Sequence, residues 1–469
     1  MTRQTKNNDF AYQAVYRYLL ELIAQMAPGS YSKLPSLRDL AQRLNVSIST
    51  IQYAYSLLEH EGRVQSVPKS GYFASGGNVP ALPFAGEDLL QDLQQYARSP
   101  QMLVFSGAHS LPSMEASLLG VERQLLRQYP RPLGPVHPCG ELELRTALAA
   151  RYTRSVALYW NAEDVYLALD LRSLFETLLA ALELQGCTIL VTSPCSWRLL
   201  RILQSAGLRV IELPLGADGA LDLERFASLL EREPVRMVML ASRLNSPHGS
   251  LMPSAQHQAI AQLLAQHDVW LLENDLDAEY YFAANPQACL REMVDPQRLL
   301  VFSSLERSVG AEAPYAYLLS RHGQRRLQRQ FLARGFRLPP LRQQAVARLY
   351  AKGRIDVHLA QARLRLRERV THLYRQMQIQ LGSQLHFQMP AGGVTIWAQV
   401  QMPTDSRMLF NRLLRQGLLI EPGEVFSLHG DYRQYLRLGW PSGAQGDLQS
   451  GLSVLSEELQ RAQKTGKLP

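Results

Sequence analysis

Residues 301–320 of the chain are VFSSLERSVGAEAPYAYLLS. The segment begins with an apolar run typical of a buried strand, passes through a polar turn and resumes as a second apolar run, YAYLLS. Such a frame would suit a catalytic side chain at its centre, yet Glu306, Arg307 and Ser308 stand there. The segment therefore predicts two strands joined by a turn that carries an arginine.

Apolar runs of the same kind precede this segment and alternate with helical stretches. The strand-like runs are CTILVTS, RVIELPL, VRMVMLAS, VWLLEND and RLLVFSS, and the helical stretches include LRSLFETLLAALELQG and AQHQAIAQLLAQHD. Regular alternation of this sort predicts a largely parallel sheet covered by helices. Ligands of such sheets bind at the carboxyl ends of the strands.

The composition is that of a globular protein with two or three units, or with a small domain joined to a large one. Of its 469 residues, 46% are hydrophobic and 19% are charged, and we find no apolar run near the ~20 residues of a membrane helix. The first segment, MTRQTKNNDF, lacks the apolar stretch of a signal peptide, so we expect a cytoplasmic location and no membrane partner. A net charge of +8 and a pI near 9.3 suit a nucleic-acid partner without establishing one.

Cysteine and lysine usage restricts the chemistry. Cys139, Cys187, Cys195 and Cys289 form no CxxC pair, so we expect buried free thiols, and no histidine spacing indicates a metal site. All positive charge between Lys69 and Lys352 comes from arginine. Lysine chemistry is therefore excluded across that span.

The N-terminal residues predict three short helices. Val15, Leu19, Leu22, Ile23 and Met26 form one apolar stripe. A second helix, SLRDLAQRLN, would bury Leu37, Leu40, Ala41 and Leu44, and a third, starting at an N-cap Ser47, would bury Ile51, Ala54, Tyr55 and Leu58. Ser49, Thr50, Gln52 and Tyr53 would then face outward at the start of the third helix, where they could reach base edges.

Two short strands follow in RVQSVPKSGYFAS, around a turn at Lys69 and Gly71 that could place a cation on a phosphate. The whole unit is predicted to be a winged helix. Residues 11–74, with KLPSLRDLAQRLNVSISTIQYAYSLLEHEGRV followed by SGYF, resemble the DNA-binding domain of the GntR family. The resemblance implies double-stranded operator DNA as the partner. It assigns the contacts to the helices and to the wing, at Lys33, Arg38, Ser47, Ser49, Thr50, Gln52, Tyr53, Lys69 and Gly71.

Residues 76–101 mix Gly and Pro with one short amphipathic run and predict a linker with a small helix. The domains are then 1–75, a winged helix, and 102–469, a large α/β domain with a small C-terminal α+β subdomain from about 360. Landmarks such as RLNSPHGSLMP, WLLENDLDAEYYF, MPAGGVTIWAQV, LIEPGEVF and LRLGW resemble fold type I aminotransferases. Together with the head, the chain resembles the MocR subfamily, which implies a homodimer, in a domain-swapped arrangement that the linker length permits.

The resemblance also implies pyridoxal phosphate (PLP) as the family cofactor, yet the matching positions have changed. Arg307 stands for the Schiff-base lysine, Asn274 for the aspartate on the pyridine nitrogen and Leu276 for the tyrosine on the ring hydroxyl. Pro314 stands at the position of a phosphate-binding arginine, and Asp170 lies in the phosphate cradle. Ser246 stands at the position of the loop asparagine, and Asn245 lies one place earlier. We therefore expect no cofactor and no transaminase activity, because arginine offers no nucleophilic nitrogen and asparagine cannot neutralise a pyridinium.

Two arginines are the remaining candidates for binding an anionic ligand. Arg437 matches the arginine that binds the substrate carboxylate, and Arg307 could anchor a carboxylate or phosphate. Each could instead form an ion pair within the chain: Arg307 with Glu306, Asp275 or Asp277, and Arg437 within the C-terminal subdomain. Both interpretations stay open for both arginines.

Three functions follow from these patterns. The first is a transcriptional regulator that dimerises and senses a small anionic metabolite without PLP. The second is a PLP-binding regulator or aminotransferase whose Schiff-base lysine lies elsewhere, with Lys352 the one lysine in the large domain ahead of the C-terminal tail. The third is a scaffold whose large domain only dimerises.

Overall fold

A computed structural model describes residues 8–24, 32–60, 64–67, 71–74, 89–99, 101–107, 111, 113–128, 136–155, 159–241, 243–283, 289–443 and 447–465. The chain divides into two compact units, Met1–Asp92 and Leu93–Pro469. The division lies inside the predicted linker, 76–101, and the linker bounds themselves stay a prediction. No described helix is long and apolar enough to cross a membrane.

The first unit consists of three helices and a small antiparallel sheet. Its elements are α1 (Asn8–Ala24), β1 (Ser32–Lys33), α2 (Leu37–Leu44), α3 (Ile48–His60), β2 (Val64–Val67) and β3 (Gly71–Ala74). The strands pair in the order β1-β3-β2. The four α3 residues predicted to face inward, Ile51, Ala54, Tyr55 and Leu58, are fully buried with Leu19 of α1 and Leu40 of α2. The apolar stripes therefore assemble the three helices around one core.

The second unit alternates helices and strands. Its helices are α4 (Leu89–Tyr96, which spans the division), α5 (Glu115–Gln128), α6 (Leu142–Tyr152), α7 (Leu171–Leu182), α8 (Trp197–Ser205), α9 (Leu223–Arg232), α10 (Ser254–Gln266), α11 (Leu305–Ser308), α12 (Gln324–Arg334), α13 (Pro340–Ala351), α14 (Arg354–Leu381), α15 (Ser406–Arg415) and α16 (Leu448–Thr465). Its strands are β4 (Leu103–Val104), β5 (Val165–Ala168), β6 (Thr188–Ser193), β7 (Arg209–Pro214), β8 (Val235–Ala241), β9 (Trp270–Asn274), β10 (Leu299–Ser304), β11 (Ala316–Ser320), β12 (Leu385–Phe387), β13 (Thr395–Val400), β14 (Leu418–Leu419), β15 (Glu421–Pro422), β16 (Tyr435–Gly439) and β17 (Ser442–Gly443).

The main sheet has the strand order β5-β11-β10-β9-β8-β6-β7. Neighbouring strands are parallel except at β11, which runs antiparallel to β10 and β5. Nearly every residue of the central strands is buried, as expected for a sheet with helices on both faces. The predicted mostly parallel sheet is confirmed, and the opening segment forms β10, the helical turn α11 and β11.

The C-terminal subdomain has its own antiparallel sheet, in the order β12-β13-β16-β15. Ile396, Ala398, Leu436 and Leu438 are buried on one face of this sheet. The alternate residues, which include Thr395, Trp397 and Arg437, lie on the other face. The predicted subdomain start at about 360 falls within α14, which is one continuous helix of 28 residues.

All four cysteines are free thiols. Three of them are buried, as predicted, and Cys187 is partly exposed. Burial raises the pKa of the Cys195 thiol to about 12, which keeps it protonated and unreactive.

Candidate functional sites

The turn between α2 and α3 is fixed by local caps. Ser36 accepts a hydrogen bond from the Asp39 N–H at 3.2 Å, which starts α2. Asn45 ends α2 in the left-handed conformation, with φ of 50°. Ser47 accepts a hydrogen bond from the Thr50 N–H at 3.1 Å and so begins α3. The second helix of a helix-turn-helix is thereby set at a defined angle to the first.

The start of α3 presents polar side chains to solvent. Ser49, Gln52 and Tyr53 are exposed, and the Tyr53 ring lies edge-on to Tyr12 with centroids 5.1 Å apart. Ser47 is exposed as well, and its hydroxyl lies 2.8 Å from that of Ser49. The predicted outward orientation is therefore confirmed for Ser49, Gln52 and Tyr53, and contact of these side chains and of Ser47 with DNA stays a prediction.

The orientation predicted for Thr50 is wrong. Only 8% of Thr50 is exposed, and its Oγ1 lies 2.6 Å from the Ser47 Oγ. A threonine in the first turn of a helix can bond locally to the cap residue, and here that bond turns the side chain inward. Thr50 thus belongs to the helix cap, not to the exposed surface.

The remaining predicted contacts lie on α2 and on the wing strands. Arg38 is exposed on α2. Lys33 is exposed on β1, and its Cε lies 3.5 Å from the point where a Cβ on Gly71 would stand. Gly71 has φ of +108°, which favours glycine at the start of β3. Lys69 lies outside the described residues.

In the second unit, Arg307 lies on the helical turn α11, which follows β10. Ser304 caps this turn by accepting a hydrogen bond from the Glu306 N–H at 3.2 Å. The guanidinium of Arg307 forms an ion pair with Asp277, 3.1 Å apart, and the Tyr280 hydroxyl donates to the Arg307 carbonyl. Of the three partners predicted for Arg307, Asp277 is the one that pairs with it in this structure.

Arg437 lies on β16, directly opposite Glu421 of β15. Its Nη1 is 2.5 Å from a Glu421 carboxylate oxygen, and its Nε donates to the Thr395 hydroxyl at 3.1 Å. The guanidinium also lies over the Phe426 ring, 5.6 Å from its centroid. The partner of Arg437 within the subdomain is therefore Glu421, which the sequence analysis did not single out.

The two arginines line one small cavity. Its volume is about 10 Å³, which is barely the space of one water molecule. Ser246 and Asn245 line it too, together with Asp277 and Thr395. The structure thus brings together three predicted positions, Ser246, Arg307 and Arg437. The other four, Asp170, Asn274, Leu276 and Pro314, do not line this cavity.

Those four side chains have other roles. Asp170 is the N-cap of α7 and accepts from the Ser173 N–H at 2.7 Å. The Asn274 amide oxygen accepts from the Leu276 N–H at 3.1 Å, and Leu276 packs against the apolar core. Pro314 is exposed between α11 and β11. A carboxylate thus occupies the N-terminal N–H groups of α7, the kind of site that elsewhere binds an anion.

A buried ionic cluster lies next to these residues. Arg291 forms ion pairs with Glu273 and Asp275, and the Tyr152 hydroxyl donates to Asp275 at 2.5 Å. Burial raises the pKa of Glu273 to about 7. Because Asp275 is held by Arg291 and Tyr152, it does not serve as the partner of Arg307.

Two other expectations concern lysine and metals. Lys352 is exposed at the C-terminal end of α13 and does not line the cavity with Arg307 and Arg437. Within the described part of the chain, no three His, Cys, Asp or Glu side chains come together to hold a metal ion.

Comparison with known proteins identifies the families that the chain matches. Residues 134–455 match the family described as aminotransferase class I and II, and residues 11–73 match the bacterial regulatory proteins of the gntR family. The Escherichia coli K12 protein YjiR, an uncharacterized HTH-type transcriptional regulator, is 25% identical over 469 residues, covering 95% of this chain and 99% of YjiR. The probable rhizopine catabolism regulatory protein MocR of Rhizobium meliloti is 22% identical over 466 residues, covering 93% and 91%.

Among solved structures, the α-aminoadipate aminotransferase of Thermus thermophilus has the same fold, with a TM-score of 0.68 at 19% identity over 83% of this chain and 98% of that one. These matches confirm the resemblance to GntR regulators of the MocR type. The aminotransferase match spans more than two thirds of the chain, so the chain belongs to the aminotransferase class I and II family. Because it also carries a gntR-family head, it is a transcriptional regulator that joins a DNA-binding domain to an aminotransferase-like domain.

Proposed function

We propose that this regulator senses a small anionic metabolite through its aminotransferase-like domain, without PLP and without catalysis. The observation that carries the proposal is the pair of arginines in one cavity, Arg307 and Arg437, each held by a carboxylate of the chain itself. Arginine stays protonated and cannot form a Schiff base, so Arg307 acts as a fixed charge. Its head group suits a carboxylate or phosphate.

The residues around the cavity do not fit PLP. The position that matches the Schiff-base lysine is Arg307, and the N-terminus of α7 is already capped by the negative charge of Asp170. Asn274 turns its amide oxygen to the Leu276 N–H, and a leucine side chain offers no hydrogen bond to a ring hydroxyl.

An anion would bind here by exchange. The cavity holds about 10 Å³, so a carboxylate has to replace Glu421 on Arg437 or Asp277 on Arg307. Arg437 lies on the small sheet and Arg307 on the turn after β10, so a ligand with two acidic groups could bridge them. Such a bridge would fix the small sheet against the main sheet, and this difference between free and bound states is what a sensor requires.

The PLP-free assignment is tested by borohydride reduction followed by mass spectrometry. We expect no phosphopyridoxyl adduct on any lysine of the protein incubated with PLP, and no aldimine absorbance. The variant Arg307→Lys restores the nucleophile alone. Three missing hydrogen bonds to charged groups, each worth ~1.5 to 3 kcal/mol, should still weaken PLP binding by roughly a thousandfold or more. A reduced adduct on a native lysine, Lys352 included, would refute the assignment.

The DNA partner is proposed to be an operator with two half-sites, bound by a homodimer. Leu119 and Leu126, seven residues apart on α5, and Leu142 of α6 are exposed apolar side chains that support an interface on the second unit. Binding to chromosomal DNA implies a cytoplasmic location. A monomer at micromolar concentration in sedimentation equilibrium would remove the dimer from the proposal without affecting the ligand site.

A further inference from the structure

A second, larger cavity lies in the same unit. Its volume is about 510 Å³, within the range of small-molecule sites. The loop after β7, the loop at His248–Leu251, the segment His386–Ala391 and the polar face of the small sheet form its walls. Neither Arg307 nor Arg437 lines it.

One wall of this cavity is aromatic. The rings of Trp397 and Tyr435 lie nearly parallel, with centroids 5.3 Å apart and an angle of 16°. Tyr432 meets both rings edge-on, at 5.6 Å and 5.5 Å. Phe426 packs against the Trp397 ring from another direction, with centroids 5.5 Å apart. Because these contacts hold the rings in place, the wall is a preformed surface for a flat apolar ligand.

The lining of the cavity also carries negative charge. Asp218 is exposed on the turn after β7, where its carboxylate accepts a hydrogen bond from the Ala220 N–H at 3.0 Å. Among the described residues that line the cavity, Asp218 is the one carboxylate, and there is no Arg or Lys. His248 lies 2.8 Å from the Ser250 hydroxyl, and burial lowers the pKa of its imidazole, so it adds no positive charge at pH 7.

We propose that this cavity is a second ligand site, which takes a planar aromatic ring carrying a protonated amine. The ring lies against the wall of Trp397, Tyr432 and Tyr435, and the amine points to Asp218. A protonated amine is attracted by the Asp218 carboxylate and by the negative faces of the aromatic rings, whereas an anionic group is repelled by both. The charge preference is therefore the reverse of that of the arginine cavity.

The two cavities share a wall. Gly249 lines both of them, and its carbonyl accepts a hydrogen bond from the Ala391 N–H at 2.8 Å. Gly249 has φ of +82°, and a Cβ there would stand 2.7 Å from the Pro390 Cβ. A side chain at position 249 would therefore separate the two loops.

The test is calorimetric titration of the full-length protein with tryptamine, indole and indole-3-acetate at neutral pH. These probes share one ring system and differ in charge. For a ligand of this size we expect tryptamine to bind with a Kd of about 1 mM. Indole should bind at least about fivefold more weakly and indole-3-acetate more weakly again.

Variants test the residues named for this site. Asp218→Asn keeps an acceptor for the Ala220 N–H and should weaken tryptamine binding at least about fivefold, with little effect on indole. Tyr435→Leu should weaken both. Glu224→Gln, which removes an exposed charge in the first turn of α9, should leave tryptamine binding unchanged. Tighter binding of indole-3-acetate, equal affinities for the wild type and Asp218→Asn, or no heat with tryptamine up to about 10 mM would each overturn the proposal.

Discussion

On α3 the polar side chains of Gln52 and Tyr53 are exposed, whereas in the second unit Arg307 and Arg437 are each paired with a carboxylate of the same chain. The first region offers hydrogen-bonding groups directly to an external partner. The second would have to break an internal ion pair before it could bind a ligand. Under the proposed function, DNA recognition uses surface groups already in place, whereas ligand recognition requires an exchange of partners.

The contrast between the two regions is tested most severely at Glu421. Glu421→Gln removes the carboxylate that pairs with the largely buried guanidinium of Arg437. Because a buried charge then lacks its ion-pair partner, we expect the free energy of unfolding to fall by about 3 kcal/mol. Urea denaturation measures it. Added malonate should then raise the melting temperature of the variant more than that of the wild type, because the anion takes the vacated place.

Glu424→Gln is the matched control for this change. Glu424 lies three residues further on, and its partners Arg407 and Arg433 are exposed and distant, at 3.6 Å and 3.8 Å. Its loss should cost less than about 1 kcal/mol. Equal losses for the two variants would mean that the Arg437 pair has no special role.

A smaller effect is expected on the DNA-binding side. Arg38→Ala should weaken binding to operator DNA by about 1 to 3 kcal/mol, roughly 5- to 150-fold, because it removes an exposed cation from α2. Fluorescence anisotropy with the DNA upstream of the protein's own gene measures it. Wild-type affinity should also fall steeply with salt as counterions are released.

Arg43→Ala is the control on the same helix. Arg43 forms an i,i+4 ion pair with Asp39, 3.2 Å apart, so its charge is partly compensated. Its removal should change the affinity by less than about threefold. If both variants lost affinity equally, or if binding did not depend on salt or on DNA sequence, the assigned role of Arg38 would be wrong.

The last and weakest effects distinguish the cap of α3 from its exposed surface. Ser47→Ala removes the N-cap and should lower the stability of the first unit by about 1 kcal/mol, measured by thermal unfolding. Thr50→Val should leave the DNA affinity within about twofold of wild type because the side chain faces inward, whereas Gln52→Ala should relax sequence preference. A loss of sequence preference in Thr50→Val would restore Thr50 as a recognition residue.

Sequence reasoning succeeded where a pattern is local. The spacing of Ile51, Ala54, Tyr55 and Leu58 predicted the buried face of α3 because 3.6 residues make one helical turn. It failed for Thr50 because two local roles compete for one hydroxyl, and the cap bond to Ser47 prevailed. Nothing in a single sequence distinguishes those roles.

The partner of Arg437 illustrates the other limit. In the sequence, the available signal for this partner was a carboxylate beside apolar residues, Glu421 in LIEPGEVF. Its position opposite Arg437 depends on the register of β15 and β16. The register follows from how the whole small sheet packs, which local spacing does not specify.

The residue types alone limit which chemistry the chain has at its disposal. Between Lys69 and Lys352 there is no lysine, and no fold can supply a Schiff-base amine from residues that lack one. How the available charges are used depends instead on tertiary packing. Packing paired Arg307 with Asp277 and Arg437 with Glu421, and it brought Asp218, Trp397 and Tyr435 into the lining of one separate cavity. The difference is one of range: a side chain's own chemistry is fixed by its identity, whereas an ion pair or a cavity exists only where distant segments are packed within a few ångströms of one another.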